Sequence, residues 1–411
     1  MKPAPAIPVV ADSVPPLQAR RDSTSDGLET LVEAFAVTSP AATSALWQRV
    51  RARCADIGPA VTRLIDDAEA SDGGKHMRPR LVAAAYLGMG GTDLQLLAEV
   101  AGAQQLLHLG LCMHDDLIDG DRVRHGAPNL IGRSHDAALA AGTDGAAAER
   151  QALAAGLLAG DLALNAALLA LLDVPAPLSV RHRLAVEATT ELERTIAGEL
   201  LDVQSETITP DRAAPLRVAE LKTAAYSVVL PLRLGAVAAG CTSEATLRVL
   251  TQVGVALGIA YQLADDDLGL FGVTEATGKS VLSDVRQGKR TEHIRIAYLR
   301  AGYADRATLD AVLGRPDATD ADADLVRDIV LRTGARESVT RTIDEHMSRG
   351  IRLAGTALPE PLATYLAVLA SSGRGRPNTW PAVRAAPCRR GGCPGSCARR
   401  SCGSPTRVRP C

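Results

Sequence analysis

The chain has 411 residues, a formal net charge of −2 and only 2% aromatic residues. That length holds one large domain or two or three smaller ones. The scarcity of aromatics argues against a β-sandwich or barrel, and near-neutrality gives nucleic acid no electrostatic reason to bind.

The charge balance hides an asymmetry. Residues 373–411 hold nine Arg and no Asp or Glu, so the rest of the chain is near −11 once those nine are taken from the net −2. Residues 1–25 read as a disordered leader in which Pro, Ser and Asp cluster without periodicity. No basic stretch precedes an apolar one there, so a secretory signal is not expected. From Gly27 to Ala370 helix-period segments follow one another: Leu94–Asp119, Gln151–Leu172, Val180–Gln204, Val218–Ala239, Thr246–Leu270 and Ala323–Leu353. Gly, Pro, Asp and Ser mark the loops between them. Alternating-β stretches and short repeats are absent from the sequence pattern. The expectation is one all-α domain over residues 26–370 with ten or more helices. Leu153–Leu172 is the most membrane-like run, but Asp161 and Asn165 interrupt it. A buried amphipathic helix fits it better than a span, so no stable membrane insertion and a cytoplasmic protein are expected.

Cys54, Cys112 and Cys241 are scattered through the body, as in a reduced cytosolic protein. Cys388, Cys393, Cys397, Cys402 and Cys411 crowd the tail, residues 371–411. Zinc is a weak reading of these, because no His and no paired CxxC accompany them. Disorder is the better one. The abrupt change after Leu369-Ala370 suggests out-of-frame translation of GC-rich DNA.

Two aspartate clusters interrupt apolar helical sequence: His114-Asp115-Asp116-Leu117-Ile118-Asp119 and Tyr261-Gln262-Leu263-Ala264-Asp265-Asp266-Asp267-Leu268-Gly269. Carboxylates are costly in such a setting unless a cation compensates them. Asp115 and Asp119 are four apart and share a helix face; His108 lies two turns back, near that face. The bland readings are a solvated helix end for the first cluster and a solvated loop start for the second. For His108 alone a satisfied core histidine is the better one. Three Asp at the end of Val253–Leu263 oppose the helix dipole, which a bound cation would explain. Oxygen-only ligands favour Mg²⁺. Basic groups recur alongside. Gly73-Gly74-Lys75-His76-Met77-Arg78-Pro79 joins backbone N–H groups and two cations before a helix, which suits phosphate. Arg122-Val123-Arg124-His125-Gly126, Lys222-Thr223, Thr277-Gly278-Lys279 and Gly288-Lys289-Arg290-Thr291 follow. Each alone is most simply a surface charge. Together with the two acid clusters they suit two anionic groups, one reached through metals and one directly.

In order and spacing, these motifs from Gly73 to Thr291 resemble the trans-isoprenyl diphosphate synthases of the polyprenyl synthetase family. Asp115, Asp116 and Asp119 match its DDxxD motif in full. The resemblance implies an isoprenoid-synthase-type all-α bundle around a central cavity, usually a homodimer. It implies Mg²⁺-dependent head-to-tail condensation of isopentenyl diphosphate with an allylic diphosphate, with three Mg²⁺ per site and Mn²⁺ able to substitute. Asp115, Asp119 and Asp265 would hold the metals, supported by Asp116 and Asp266. Arg124, Lys222 and Lys279 would contact the allylic diphosphate, and Lys75, Arg78 and His108 the isopentenyl diphosphate. Thr223 and Gln262 would line the path of the allylic cation.

Three positions depart from the family pattern. Gly269 stands at the last Asp of the second motif, His125 at the second Arg of Arg-Arg-Gly, and His76 where Arg is common. His125 is expected to weaken isopentenyl diphosphate binding or make it pH-dependent. In this family a bulky residue four or five before the first Asp stops chain growth. Gly110 offers no plug and Leu111 a modest one, so a C20 product, geranylgeranyl diphosphate, is expected over farnesyl or longer products. A terpene cyclase, a non-catalytic subunit of a prenyl synthase and a plain helical scaffold are the competing classes. The first lacks an isopentenyl diphosphate pocket, the second tends to lose its Asp-rich motifs, and the third leaves the order of motifs unexplained.

Overall fold

The computed structural model describes residues 25–124, 126–272 and 282–372. These residues form fifteen helices, one 3-10 turn at Pro210–Arg212 and one two-residue β-pair. The first seven helices are α1 (Ser25–Arg53), α2 (Pro59–Glu69), α3 (Met77–Gly88), α4 (Leu94–Ile118), α5 (Leu130–Ala140), α6 (Gly145–Asp173) and α7 (Leu178–Ser205). A continuous helix α8 spans Pro215–Ala238. It is followed by α9 (Glu244–Phe271), α10 (Leu282–Gln287), α11 (Glu292–Arg300), α12 (Tyr303–Val312), α13 (Asp320–Arg332), α14 (Ala335–Ala357) and α15 (Glu360–Ser372). Between α4 and α5, Val123–Arg124 pairs antiparallel with Ala127–Pro128. The all-α expectation holds.

Local chemistry sets the helix starts. Side chains of Asp93, Asn129, Asp144 and Ser243 accept backbone N–H groups at the N-termini of α4, α5, α6 and α9. Thr319 and Asp322 form a reciprocal capping box on α13. Two boundaries differ from the periodicity. The expected helix Ala323–Leu353 is two helices, because Gly334 turns into the left-handed region at φ 67°. Helix α9 does not end at the Asp triplet but runs on to Phe271, so the dipole argument for a cation there falls away.

Helix α4 is wrapped by α1, α3, α6 and α8, and α8 is wrapped by α3, α7 and α9. Leu97, Leu106 and Leu107 of α4 and Leu230, Leu232 and Leu234 of α8 are fully buried. Each such leucine contributes about 2 kcal/mol of hydrophobic burial. A second apolar cluster joins Leu270 of α9 to Val285, Ile294, Leu309, Val326 and Ile329 of α10 to α13.

In the middle of α8 the backbone winds as a π-helix over Ala219–Val229. Pro231, just downstream, has no N–H to give the preceding turn, and the wider winding accommodates it. Gln104 of α4 donates to the Tyr226 carbonyl at 2.9 Å, satisfying a backbone acceptor in the widened segment. Two glycines bring α8 close to its neighbours. A Cβ at Gly198 of α7 would lie 2.2 Å from the Lys222 nitrogen, and one at Gly258 of α9 would lie 2.5 Å from the Ala224 Cα.

Candidate active site

The last turn of α4 presents the first acid cluster. The short β-pair folds Arg124 back onto it: Nη2 is 3.0 Å from Asp115 Oδ2 and 2.6 Å from Asp116 Oδ1, and Nε donates to Asp116 Oδ1 at 2.9 Å. Asp116 is buried. Burial pushes its carboxyl above the usual range, and the Arg124 hydrogen bonds pull the other way. Asp116 thus faces Arg124. Asp119 caps α4 through a 2.8 Å bond from its N–H to the Asp115 carbonyl. Lys289 Nζ lies 3.4 Å from Asp119 Oδ2.

Helix α7 supplies acids that sequence reasoning missed. Glu199 and Asp202 lie one turn apart, and Lys222 Nζ sits 2.8 Å from each and 3.2 Å from Asp115 Oδ1. Burial opposes the charge on Lys222, but Asp115, Asp202 and Glu199 outweigh it and raise the ammonium pKa well above its ordinary value. Carboxylate oxygens of Asp115, Asp119 and Glu199 lie within 4.8 Å of one another. Three hard oxygen donors gathered around a resident ammonium fit a divalent cation such as Mg²⁺. The available signal was Glu199-x-x-Asp202 within the apolar run Leu200-Leu201.

The second cluster is built on α9. Thr223 Oγ1 donates to Gln262 Oε1 at 2.5 Å, and Gln262 Nε2 donates to Asp266 Oδ1 at 2.8 Å. Burial pushes the Asp266 carboxyl up to about 8, and the charges of Asp284, Asp265 and Asp202 push in the same direction. Asp202 thus links the clusters, bonding Lys222 on one side and acting on Asp266 on the other. Asp265 is exposed. Asp267 turns away, with oxygens 2.9 Å from Arg336 Nε and Nη2 and 3.2 Å from His293 Nε2. At Gly269, a Cβ would lie 2.4 Å from Asp284 Oδ2. The carboxylate of α10 already occupies the space beside the position where the family pattern has its last Asp.

Arg78 and His108 come together as expected. Arg78 Nη1 lies 3.1 Å from His108 Nε2, Nη2 donates to Tyr226 Oη at 3.0 Å, and the guanidinium lies 4.8 Å from the Tyr226 ring centre. Lys75 is exposed on the preceding loop. Its carbonyl accepts from Arg80 Nε at 3.2 Å. His76 does not face outward with it. Its backbone is left-handed at φ 47°, and its ring is tucked between Ser39 Oγ at 3.0 Å and Asp72 Oδ1 at 3.4 Å. His125 and Lys279 lie outside the described residues.

Gly110 packs on α6. A Cβ there would lie 2.9 Å from the Gly160 carbonyl oxygen and 2.9 Å from Leu164 Cγ. The space expected to be open is therefore lined by α6, while Leu111 is half-buried.

The polyprenyl synthetase profile matches residues 62–330, which include the acid clusters of α4 and α9, the Arg78–His108 pair and Lys222. The chain belongs to the polyprenyl synthetase family. It is 31% identical over 302 residues to the (2E,6E)-farnesyl diphosphate synthase of Mycobacterium tuberculosis, covering 72% of this chain and 78% of that protein. The geranylgeranyl diphosphate synthase of the same organism is 28% identical over 362 residues, covering 82% and 95%. The geranylfarnesyl diphosphate synthase of Aeropyrum pernix is 32% identical over 271 residues, covering 64% and 77%. A crystal structure of geranylgeranyl pyrophosphate synthase from Corynebacterium glutamicum, complexed with isoprenyl diphosphate and magnesium, superposes with a TM-score of 0.77 at 28% identity, covering 83% of this chain and 98% of that one. The protein is thus a prenyltransferase that elongates prenyl chains, of a family that uses divalent metal to condense isopentenyl diphosphate with allylic diphosphates.

Proposed function

We propose that the protein is a Mg²⁺-dependent synthase of geranylgeranyl diphosphate. The observation that carries the catalytic reading is the Lys222 ammonium, set 2.8 to 3.2 Å from Asp115, Glu199 and Asp202 and so joining the acid cluster of α4 to the carboxylates of α7. Asp115, Asp119 and Asp265 would hold the Mg²⁺, three ions per site, with Mn²⁺ able to replace them. When bound there, Mg²⁺ would supply positive charge against the diphosphate leaving group.

The chain's own residues do the rest. Arg124 and Lys222 turn their cations from carboxylates to the allylic diphosphate, and Lys279 joins them there. Lys75, Arg78 and His108 hold isopentenyl diphosphate; Tyr226 fixes the Arg78 guanidinium from one side. Thr223 and Gln262 present oxygen dipoles to the cation without a competing nucleophile. Their mutual hydrogen bond, tied to Asp266, sets their orientation. The isopentenyl double bond attacks the cation, and the proton it then loses passes to the released diphosphate.

The product reading rests on the absence of an aromatic plug at Leu111, with Gly110 packed on α6. Relatives named for C15, C20 and C25 products bracket it, and the geranylgeranyl enzyme is spanned over 95% of its length. A homodimer fits the apolar faces of α6 and α7, where Leu153, Leu157, Leu158, Ile196, Leu200 and Leu201 are exposed. By length and composition α4, α6, α8 and α9 could each cross a membrane. The polar contacts that α4, α8 and α9 make with one another support a cytoplasmic enzyme instead.

The test is product analysis. Purified protein is given Mg²⁺, labelled isopentenyl diphosphate and, separately, dimethylallyl, geranyl and farnesyl diphosphate. A C20 alcohol after dephosphorylation is expected. C15 alcohols, or alcohols longer than C20, would overturn the product reading alone. No elongation would favour a partner-dependent subunit, and cyclic hydrocarbons without isopentenyl diphosphate a cyclase.

A further inference from the structure

We propose that Glu199 is a third metal-holding carboxylate beside Asp115 and Asp119. The inference rests on the divalent-metal reading above and adds a ligand from α7 that neither Asp-rich motif contains. The backbone contact at Gly198 seats α7 directly on the Lys222 turn of α8. The next residue, Glu199, is thereby aimed at the end of α4. Its carboxylate reaches within 4.8 Å of the ligand oxygens of Asp115 and Asp119 while also bonding Lys222 at 2.8 Å.

Charge counting points the same way. Among the described residues, Asp115, Asp116, Asp119, Glu199, Asp202 and Asp284 face Arg124, Lys222 and Lys289. Six carboxylates against three cations leave an excess of negative charge when all are ionised, which a divalent ion would offset. The side chain of Glu199 is only 20% exposed. Excess charge at that depth is costly without a cation. A carboxylate here also offers an anionic oxygen that an isosteric amide lacks, so replacing it separates ligation from shape.

The test is Mn²⁺ binding to the substrate-free, full-length protein, followed by the electron paramagnetic resonance signal of free Mn²⁺. Glu199→Gln keeps the size of the side chain and an oxygen for Lys222, and circular dichroism checks its fold. Expected is a loss of Mn²⁺ affinity of about tenfold, with the half-saturating Mg²⁺ concentration for turnover raised in step. Asp115→Asn separates the two levels of the reading. Weakened binding in Asp115→Asn with unchanged binding in Glu199→Gln would overturn the role of Glu199 and leave the metal site standing. Unchanged binding in both, or no Mn²⁺ retained by the unmodified protein, would overturn both. Should Glu199→Gln unfold, Glu199→Asp decides: affinity equal to that of the unmodified protein overturns the proposal, and a severalfold loss supports it.

Discussion

Lys222 occupies the middle of a carboxylate cluster that a metal is expected to share. Replacing it with Met removes one positive charge from 2.8 Å of Glu199 and Asp202 and 3.2 Å of Asp115. An ion held by Asp115, Asp119 and Glu199 would share two of these carboxylates with the ammonium. For a separation of about 4 Å, a charge of two and a charge of one repel by roughly 2 kcal/mol even in the dielectric of water. Removing the ammonium should therefore tighten divalent binding in the substrate-free protein by about thirtyfold. The same substitution leaves half-buried Glu199 and Asp202 without their counter-charge and Asp115 with Arg124 alone, destabilising the metal-free protein by about 3 kcal/mol. Added Mg²⁺ should recover most of that by preferential binding to the folded state. Turnover should nonetheless fall, because Lys222 is expected to contact the diphosphate. Mn²⁺ titration and thermal unfolding with and without Mg²⁺ check these points. Mn²⁺ binding that is unchanged or weaker in Lys222→Met would refute the idea that this ammonium competes with the ion.

The product-length prediction is now shaped by α6. Leu111→Phe should shorten the product, and Gly110→Phe should do so while also overpacking α4 against Gly160 and Leu164, at about 1–3 kcal/mol of stability; alcohol lengths and melting temperatures separate the two. Buried Glu187 accepts from Arg233 Nε at 2.6 Å and Nη2 at 2.8 Å. Burial opposes its ionisation, but Arg233 and Arg183 prevail and lower its pKa. The stability it contributes is therefore present above the unfolded-state glutamate pKa of about 4.3 and lost as pH falls through the lower folded value. Arg233→Met should destabilise by about 3–5 kcal/mol at neutral pH, and Glu187→Gln should flatten the acid limb of stability; a melting curve within about a degree of the unmodified protein for Arg233→Met would contradict this. At His76, a β-branched residue must adopt the left-handed backbone at a strain of about 1–3 kcal/mol. His76→Val should raise KM for isopentenyl diphosphate severalfold with KM for the allylic substrate held, and His76→Asn should restore much of it.

Periodicity alone located α4, α7, α8 and α9 to within three residues and α6 to within six, because apolar spacing reports which face of a helix is buried. It also placed Asp115 and Asp119 on one face and picked out the cations around them. It could not show what each face meets. Lys222 and Asp202 are 20 residues apart, and Lys289 and Asp119 are 170 apart. No spacing rule joins them; helix packing does, through close approaches such as Gly198 on the Lys222 turn. For the same reason Glu199 went unread, although it stands one residue from that contact. In sequence Asp116 reads as a support to the metal ligands and Asp267 as the last of an unbroken triplet, yet successive positions on a helix point about 100° apart. That rotation carries Asp116 to Arg124 and Asp267 to Arg336. Composition and pattern thus determined the helices and the chemistry they carry. Only tertiary packing decided which carboxylates share a cation, because that choice depends on distances of a few ångströms between segments the chain does not order by itself.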